Sequence, residues 1–309
     1  MARASTAPLI LPCRPFLLAG LLAVTAHAQS TGTASWVDYV HLTAGAEAAW
    51  VENISRTSYE PTRKDAATYT FDLAGSIPRQ LASSVLLAGS GEVSALVVDH
   101  YSEAGNFTAA GRLAVQKKFG LGPQAWVLQA SLGGGYKAAQ LDDDRGWTTE
   151  AGLQLSKRVL TNLRLTAGLN WLEHDAASAV FDLDQYTWSF DAQWDINEHW
   201  TLAGNASRLH GDIVANAAPA VWSTMLAGGF GPVIHDYYTS RPWSVTNLYG
   251  DGWVSYNVEA DVDLWSLTLT YAWTDRASAD LRYSTAYVVN YVGVAYPSDS
   301  WGLRLNYRF

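Results

Sequence analysis

A histidine and a serine that stand two positions apart, His100 and Ser102, are the residues of this chain best placed for covalent chemistry. A histidine that accepts the proton of a serine hydroxyl turns that hydroxyl into a nucleophile, which then attacks ester and acyl carbonyl groups. The sequence therefore offers a hydrolase as one hypothesis, with His100 and Ser102 as its candidate catalytic residues.

The residues around this pair, 100–106, resemble the His/Ser motif of lipid A 3-O-deacylases. The resemblance implies an enzyme that cleaves lipid A or a phospholipid in an outer leaflet. That family completes its triad with a glutamate one strand later, and the stretch 112–116 contains none. The alternation through Glu92 and Ser94 also directs His100 to a polar face rather than toward lipid. We therefore expect a protein that is not an enzyme.

Acidic and histidine residues elsewhere do not form a recognisable metal site. The run 142–144 is a candidate for bridging a divalent cation to lipopolysaccharide phosphates, but it lacks the glycine and bidentate glutamate of a calcium loop. Three histidines beside acids are expected in solvated loops: His174-Asp175, His210-Gly-Asp212 and His235-Asp236. The chain has no H-E-x-x-H, G-x-S-x-G or P-loop motif. The sequence predicts no metal and no cofactor.

The elements that carry these residues are predicted to be β-strands. Apolar and polar residues alternate in twelve segments, and the clearest runs from Gln185 to Trp194. Successive side chains of a strand point to opposite faces, so each segment presents one apolar and one polar face. This period predicts an all-β protein.

Tryptophan and tyrosine indicate where the apolar faces lie. The chain has 14 Trp and 16 Tyr, and most tryptophans stand near the ends of predicted strands, as in the aromatic girdles of membrane proteins. No apolar run after residue 28 reaches the roughly 20 residues of a membrane helix. Only a closed barrel then satisfies the strand edges in lipid. We predict a transmembrane antiparallel β-barrel of twelve strands, with a soluble sandwich or propeller as the alternative architecture.

The connections are predicted to alternate between short periplasmic turns and longer outside loops, with both termini in the periplasm. The stretch 206–260 is too long for an ordinary connection. We interpret 207–254 as a long extracellular loop, while a further hairpin within it would raise the count to fourteen strands.

The N-terminal region is typical of a secretory signal peptide. Arg3 and Arg14 precede the apolar run 15–25, and Ala26-His27-Ala28 offers a cleavage site. We therefore predict a signal peptide over 1–28 and a barrel over 29–309. The only cysteine, Cys13, lies in the signal, so no disulfide is expected in the mature chain. The net charge of −9 disfavours nucleic acid as a partner.

The polar faces are predicted to line a lumen. Twelve strands leave limited room, since eight are filled by side chains and sixteen to eighteen hold a wide channel. The sequence favours a passive or gated narrow pore for small polar solutes, gated by 207–254, or a structural barrel whose charges only hold the wall rigid. The balance of signs predicts a cross-linked ladder of charges in the lumen, whose residues are Glu47, Asp72, Glu92, Arg112, Lys137, Glu150, Arg164, Asp191, Arg282 and Arg304.

The last nine residues resemble the C-terminal strand of Gram-negative outer-membrane barrels, which ends in an aromatic residue that the barrel assembly machinery reads. Here Tyr307 and Phe309 occupy those positions. With the hairpin Asp195-Ile-Asn-Glu-His-Trp200, the whole chain resembles uncharacterised outer-membrane β-barrel proteins of proteobacteria. The resemblance implies the cell outer membrane as location, its lipid and lipopolysaccharide as partners, and no assigned substrate. An accessory barrel for lipoprotein or polysaccharide export stays open, as does the oligomeric state.

Overall fold

The structure, a computed structural model, describes residues 40–309. The predicted signal peptide, residues 1–28, lies outside the described residues. In the described part, thirteen strands form a single antiparallel sheet. They are β1 (His41–Val51), β2 (Ala66–Ala82), β3 (Val85–Val98), β4 (Asn106–Phe119), β5 (Trp126–Ala139), β6 (Gly146–Leu160), β7 (Leu163–Ala176), β8 (Leu183–Asp195), β9 (Trp200–Ala217), β10 (Trp243–Val245), β11 (Val254–Ala272), β12 (Ala277–Asn290) and β13 (Ala295–Arg308).

Twelve of these strands close into a ring. Neighbours along the chain pair with each other, β9 pairs with β11, and β13 returns to β1 with Arg308 opposite Thr43. The amide of Phe309 donates to the carbonyl of Leu42 at 3.1 Å and extends this seam. The short β10 lies outside the ring and pairs with the first residues of β11. The prediction of an all-β barrel of twelve strands is confirmed, and the fourteen-strand and sandwich alternatives are wrong.

The two ends of the barrel differ in their connections. Five short turns and Phe309 lie at one end, which we call the turn end; the turns are 83–84, 120–125, 161–162, 196–199 and 273–276. The opposite end, the loop end, carries 52–65, 99–105, 140–145, 177–182, 218–253 and 291–294. The longest connections, 52–65 and 218–253, lie at the loop end, and four of the five turns at the other end have two to four residues, as expected for hairpins in a barrel. Which end faces the periplasm stays a prediction.

The long connection is shorter than the sequence indicated. β9 continues to Ala217 and β11 begins at Val254, so residues 207–217 form a strand rather than a loop. The connection 218–253 contains helix α1 (Pro219–Leu226), helix α2 (Pro232–Ser240) and β10. Each helix begins with proline, whose fixed φ suits a first helical position. Neither helix is long and apolar enough to cross a bilayer.

The apolar face of the ring is its outer face. Residues paired across strands share a face, and the large apolar side chains of one face remain about half exposed, with Trp188 at 61% and Leu303 at 54%. Aromatic rings lie near both ends of this face, and some touch across strands, as Tyr283 and Trp301 do with ring centroids 4.3 Å apart. A water-soluble barrel would bury such residues, whereas lipid covers them at no cost.

Candidate functional site: the barrel lumen

All ten residues predicted to line the lumen fall on the polar face of the strand registers. Directly paired residues share a face, so the assignment passes from one strand to the next, for example from Glu47 to Arg304 and from Arg112 through Gly133 to Glu150. Five further charged residues lie on the same face near the turn end and were not identified from the sequence: Lys118, Arg158, Asp195, Asp280 and Arg308. Extending the period-two pattern to the ends of the strands would have found them.

One ion-pair network crosses the seam of the barrel. The Nη2 atom of Arg304 on β13 lies 2.7 Å from Oδ1 of Asp72 on β2, and its Nη1 lies 3.7 Å from Oε2 of Glu47 on β1. The Arg304 side chain passes over Gly45 of β1, where a Cβ atom would overlap the guanidinium. The glycine therefore provides the space through which an arginine reaches the second strand away.

The same arrangement recurs on β4–β6. Arg112 on β4 contacts Glu150 on β6, with Nη2–Oε1 at 2.6 Å and Nε–Oε1 at 2.8 Å. Between them lies Gly133 of β5, where a Cβ would press against the Glu150 carboxylate. Charge-assisted bonds of this kind are stronger than neutral ones. Both networks tie three consecutive strands together from inside.

The predicted ladder of charges is only partly present. Lys137 pairs instead with Asp144 of the connection 140–145, with Nζ–Oδ2 at 2.6 Å. Asp191 accepts a hydrogen bond from Asn205 at 2.7 Å. Among residues 40–309, Glu92, Arg164 and Arg282 have no ion-pair partner, and all three side chains are exposed although they point inward. Exposed ionised groups inside a barrel require water around them, so the lumen is hydrated.

The charges on the lumen face are also separated by sign. Strands β1–β3 carry acids there, namely Glu47, Asp72 and Glu92. Strands β4–β7 carry five bases and a single acid, Glu150; the bases are Arg112, Lys118, Lys137, Arg158 and Arg164. We call β4–β7 the basic wall. The equal numbers of the two signs in the sequence concealed this separation.

At the loop end the lumen face changes from polar to apolar. On β11, Ser266 and Thr268 face inward beside the outward Trp265 and Leu267, whereas Val262 and Val258 face inward further along. The outward positions become charged over the same residues. There Asp261 lies 3.0 Å from Arg208 and 3.0 Å from His210 of β9. His210, expected in a solvated loop beside Asp212, therefore belongs to a strand. The reversal marks where the wall leaves its apolar surroundings.

The apolar inner face at the loop end is covered by α1 and α2, which we call the cap. Trp222 of α1 stacks on Tyr256 of β11 with ring centroids 5.2 Å apart, and Tyr238 of α2 meets the same ring edge-on. Val288 and Tyr296, which face inward from β12 and β13, belong to the same cluster. The cap thus packs against the inner side of the wall. Burial raises the pKa of Tyr238 to about 12, so its phenol stays neutral and donates or accepts hydrogen bonds.

Loops hold the outer side of the same hairpin. The Asn216 side-chain amide donates to the carbonyl of Ser55 at 2.9 Å, and the Asn257 amide donates to the carbonyl of Asp182 at 2.6 Å. The Tyr249 hydroxyl donates to the carbonyl of Ile54 at 2.8 Å, and burial raises its pKa to about 12. The β9–β11 hairpin is therefore covered on both faces at the loop end.

A buried histidine lies at the base of the connections 140–145 and 177–182. His174 is 3% exposed and sits on β7, not in a loop, with Nε2 3.5 Å from Oδ1 of Asp144. Burial of Asp144 acts to raise its pKa, but the nearby His174 ring and the charge of Lys137 outweigh burial and hold the pKa below its ordinary value. By contrast, His235 pairs with its exposed neighbour Asp236 on α2.

The candidate catalytic pair lies in the connection 99–105. β3 ends at Val98, so His100 does not continue the strand and does not point into the lumen as its parity predicted. Its φ of 65° and its Nδ1 contact with Asp99 Oδ2 at 2.8 Å turn it toward solvent. Ser102 begins a short 3₁₀ turn, and no hydrogen bond joins it to His100 within residues 40–309. In the same residues, no group of three or more metal-ligating side chains is assembled.

Comparison with known proteins identifies the fold. No protein-family model matches the sequence, and no curated protein is similar to it. An outer membrane channel from Pseudomonas putida F1 is similar in structure, with a TM-score of 0.54 and 9% identity over 91% of this chain and 100% of that one. The chain has the fold of an outer-membrane β-barrel. The NanC porin (TM-score 0.44, 9% identity, 86% of this chain and 100% of that one) and the KdgM porin (0.42, 8%, 86% and 99%) are more distant in structure.

Proposed function

We propose that the protein is an integral outer-membrane barrel that conducts small polar solutes through a narrow, capped lumen. The observation that carries this proposal is the exposure of charged side chains that point inward at mid-barrel. Arg112 is 41% exposed even while it pairs with Glu150, and Glu92 and Arg282 are exposed without a partner in the described chain. A lumen packed only for rigidity would bury or pair these groups.

The membrane location rests on the outer face. Its apolar band is exposed and bordered by aromatic rings, and charged residues reappear outside it, as with Asp184, whose carboxylate accepts the Trp171 indole N–H at 2.8 Å. Such a surface suits lipid and lipopolysaccharide as its surroundings. The exposed rings of Tyr307 and Phe309 meet edge-on at 5.0 Å, beside the seam, and we propose them as the signal for the barrel assembly machinery.

The lumen is narrow because twelve strands enclose it and because two ion-pair networks project from its wall. The cap narrows it further at the loop end, since its helices pack on the inner side of β9 and β11–β13. We propose the cap, rather than the whole stretch 207–254, as the gate. The passage then depends on whether the cap leaves a gap beside the opposite strands.

Single-channel recording tests this function. The full-length protein is expressed in a Gram-negative host, purified from the outer-membrane fraction and added to planar lipid bilayers. Discrete conductance steps are expected, together with a larger step when α1 and α2 are replaced by a short Gly-Ser linker. A barrel that is folded by heat-modifiability on gels but silent in both forms would contradict the channel. Recovery in the soluble fraction would contradict the location.

A further inference from the structure

Two arginines of the basic wall face each other directly. Arg158 of β6 and Arg164 of β7 are cross-strand partners in the register, immediately before the irregularity that ends this pair of strands. Like charges at directly opposite positions destabilise a sheet. Neither side chain is carried outward, because both share the lumen face with Glu150. The folding of the sheet therefore does not explain why two arginines stand opposite each other here.

The surroundings of the pair compensate only one of the two charges. The Arg158 Nη1 atom donates to the carbonyl of Thr161 at 2.7 Å, and its Nη2 lies 3.9 Å from Oδ2 of Asp195. Asp195 also accepts bonds from Gln193 and Thr201, each at 3.3 Å. Arg164 lies opposite Gln193 on its other side and has no ion-pair partner among residues 40–309. A positive charge therefore remains exposed at this point.

A concave site adjoins the pair. It has a volume of about 240 Å³ at the turn end of the lumen, and its polar lining is Gln116, Gln129, Gln154, Ser156, Lys157, Arg158 and Arg164. The three glutamines are neighbours across β4, β5 and β6 in one register row, and the Gln116 amide donates to Gln129 at 2.6 Å. Lys157 borders the site, but its ammonium lies over the Trp126 ring at 4.8 Å.

We propose that this site binds small hydroxylated solutes that carry an oxyanion such as a carboxylate. The planar fork of Arg164, whose charge has no partner in the described chain, matches the geometry of an oxyanion, and the Arg158 guanidinium opposite it adds positive charge. The amides and the Ser156 hydroxyl supply donors and acceptors for hydroxyl groups. The volume suits a solute of a few carbons rather than a polymer, since sites for drug-sized ligands begin at about 300 Å³. The inference deepens the proposed channel function by naming the class of solute that the channel selects.

Calorimetry tests binding at this site, independently of the conductance recordings described above. Full-length protein from membranes is titrated by calorimetry with gluconate as probe and with glucose as the uncharged probe of the same size, at low ionic strength because salt screens the attraction. Gluconate is expected to bind and glucose not to bind measurably. Arg164→Gln is expected to weaken gluconate binding about tenfold, the scale of one lost charge-assisted hydrogen bond, and Arg164→Lys by less.

The matched control is Arg282→Gln, which removes another exposed lumen charge, on β12 and away from the site. Because Arg282 lies outside the site, it can act on gluconate only through its long-range charge. Arg282→Gln should therefore change gluconate affinity less than about twofold. Equal losses in Arg164→Gln and Arg282→Gln, or no binding of gluconate to the wild type, would overturn the site. Binding that depends on Arg164 in a barrel without conductance would instead overturn the channel and leave the site standing.

Discussion

Arg304 and Asp72 are joined across an intervening strand, with Nη2 2.7 Å from Oδ1, although they come from the last strand and the second strand of the barrel. Asp72 is almost buried, with 9% of its side chain exposed. The bond is possible because Gly45 lies beneath it. The pair Arg112 and Glu150 crosses Gly133 in the same way, so the barrel uses one device twice, centred on β1 and on β5.

Replacement of the glycine should break the device. In Gly45→Ala, the new methyl group displaces the Arg304 guanidinium, and we expect a loss of about 1–3 kcal/mol in the free energy of unfolding. Gly75→Ala is the matched control, because a Cβ there meets Leu42 at an ordinary 3.6 Å. Urea unfolding in lipid vesicles measures both. If Gly45→Ala destabilises the Arg304→Gln variant as much as it destabilises the wild type, the steric explanation is wrong.

Removal of the arginine itself should be costly for a second reason. Arg304→Gln leaves the carboxylates of Asp72 and Glu47 close together without a cation, so we expect destabilisation of about 1–3 kcal/mol, most of it recovered on adding Asp72→Asn. Arg282→Gln removes an exposed charge without a partner in the described chain and should change stability by less than about 0.5 kcal/mol. The double-mutant cycle in the same vesicles decides between coupling and a general effect of charge.

The level of the bilayer can be tested on β13. Leu303 faces outward at mid-wall, and Leu303→Arg should destabilise the barrel by about 2–4 kcal/mol because the charge enters hydrocarbon. Asp299 lies beyond the aromatic ring of Trp301 on the same face, where its carboxylate meets the Tyr283 hydroxyl at 3.4 Å. Asp299→Arg should cost less than about 1 kcal/mol. Equal losses in the free energy of unfolding for the two variants would show that the bilayer does not end between Leu303 and Asp299.

The cap should loosen without unfolding the barrel. Trp222 is buried between Tyr256, Tyr238 and Trp243, and its truncation to alanine removes packing worth about 3–5 kcal/mol. We expect Trp222→Ala to be cleaved by protease within 218–253 and to show larger conductance steps, while the barrel stays heat-modifiable. Phe230→Ala is the control, since that ring is half exposed. Unchanged conductance in a demonstrably cleaved cap would exclude the cap as the gate.

The connections 140–145 and 177–182 should detach in acid. The pKa of Asp144 lies below its ordinary value of 3.8 in the folded protein, so the carboxylate stabilises the fold above that pH and the contribution is lost as the pH falls through the folded pKa. Lys137→Met removes one source of the depression and should move the detachment to higher pH. The amide resonances of Ala177 and Ser178, which donate to Arg145 and Asp143, report it. Asp142→Asn, at an exposed carboxylate, should leave the midpoint unchanged.

The sequence predicted the parts of this barrel in which one physical rule holds along the whole strand. In lipid, apolar residues point out and polar residues point in, so alternation identified the strands, their number and the inward position of residues such as Arg304. Where β9 and β11 extend beyond the apolar band, apolar residues face inward and charged residues face outward. Leu209 and Ile213 face inward there, so residues 207–217 did not fit the expected pattern and were predicted to belong to a loop.

The lumen was predicted less completely than the wall. Parity places a side chain on a face, but it does not give the neighbour two strands away, so neither the Arg304–Asp72 contact nor the role of Gly45 was visible. The pairing of Arg158 with Arg164 depends on the register of one short turn. The burial of His174 depends on where the connection 140–145 folds, which no local pattern records.

The seam between β1 and β13 has a kinetic consequence. Every other neighbouring pair of ring strands is joined by a connection no longer than 218–253, whereas Thr43 and Arg308 meet from nearly opposite ends of the described chain. Closing so long a loop carries the largest entropic cost of any pairing and slows folding accordingly. The ring therefore cannot be completed until its final strand is available, and opening it requires the simultaneous loss of a full strand of hydrogen bonds. The closed barrel is therefore kinetically stable: its lifetime depends on the height of the unfolding barrier and not only on its equilibrium free energy of unfolding.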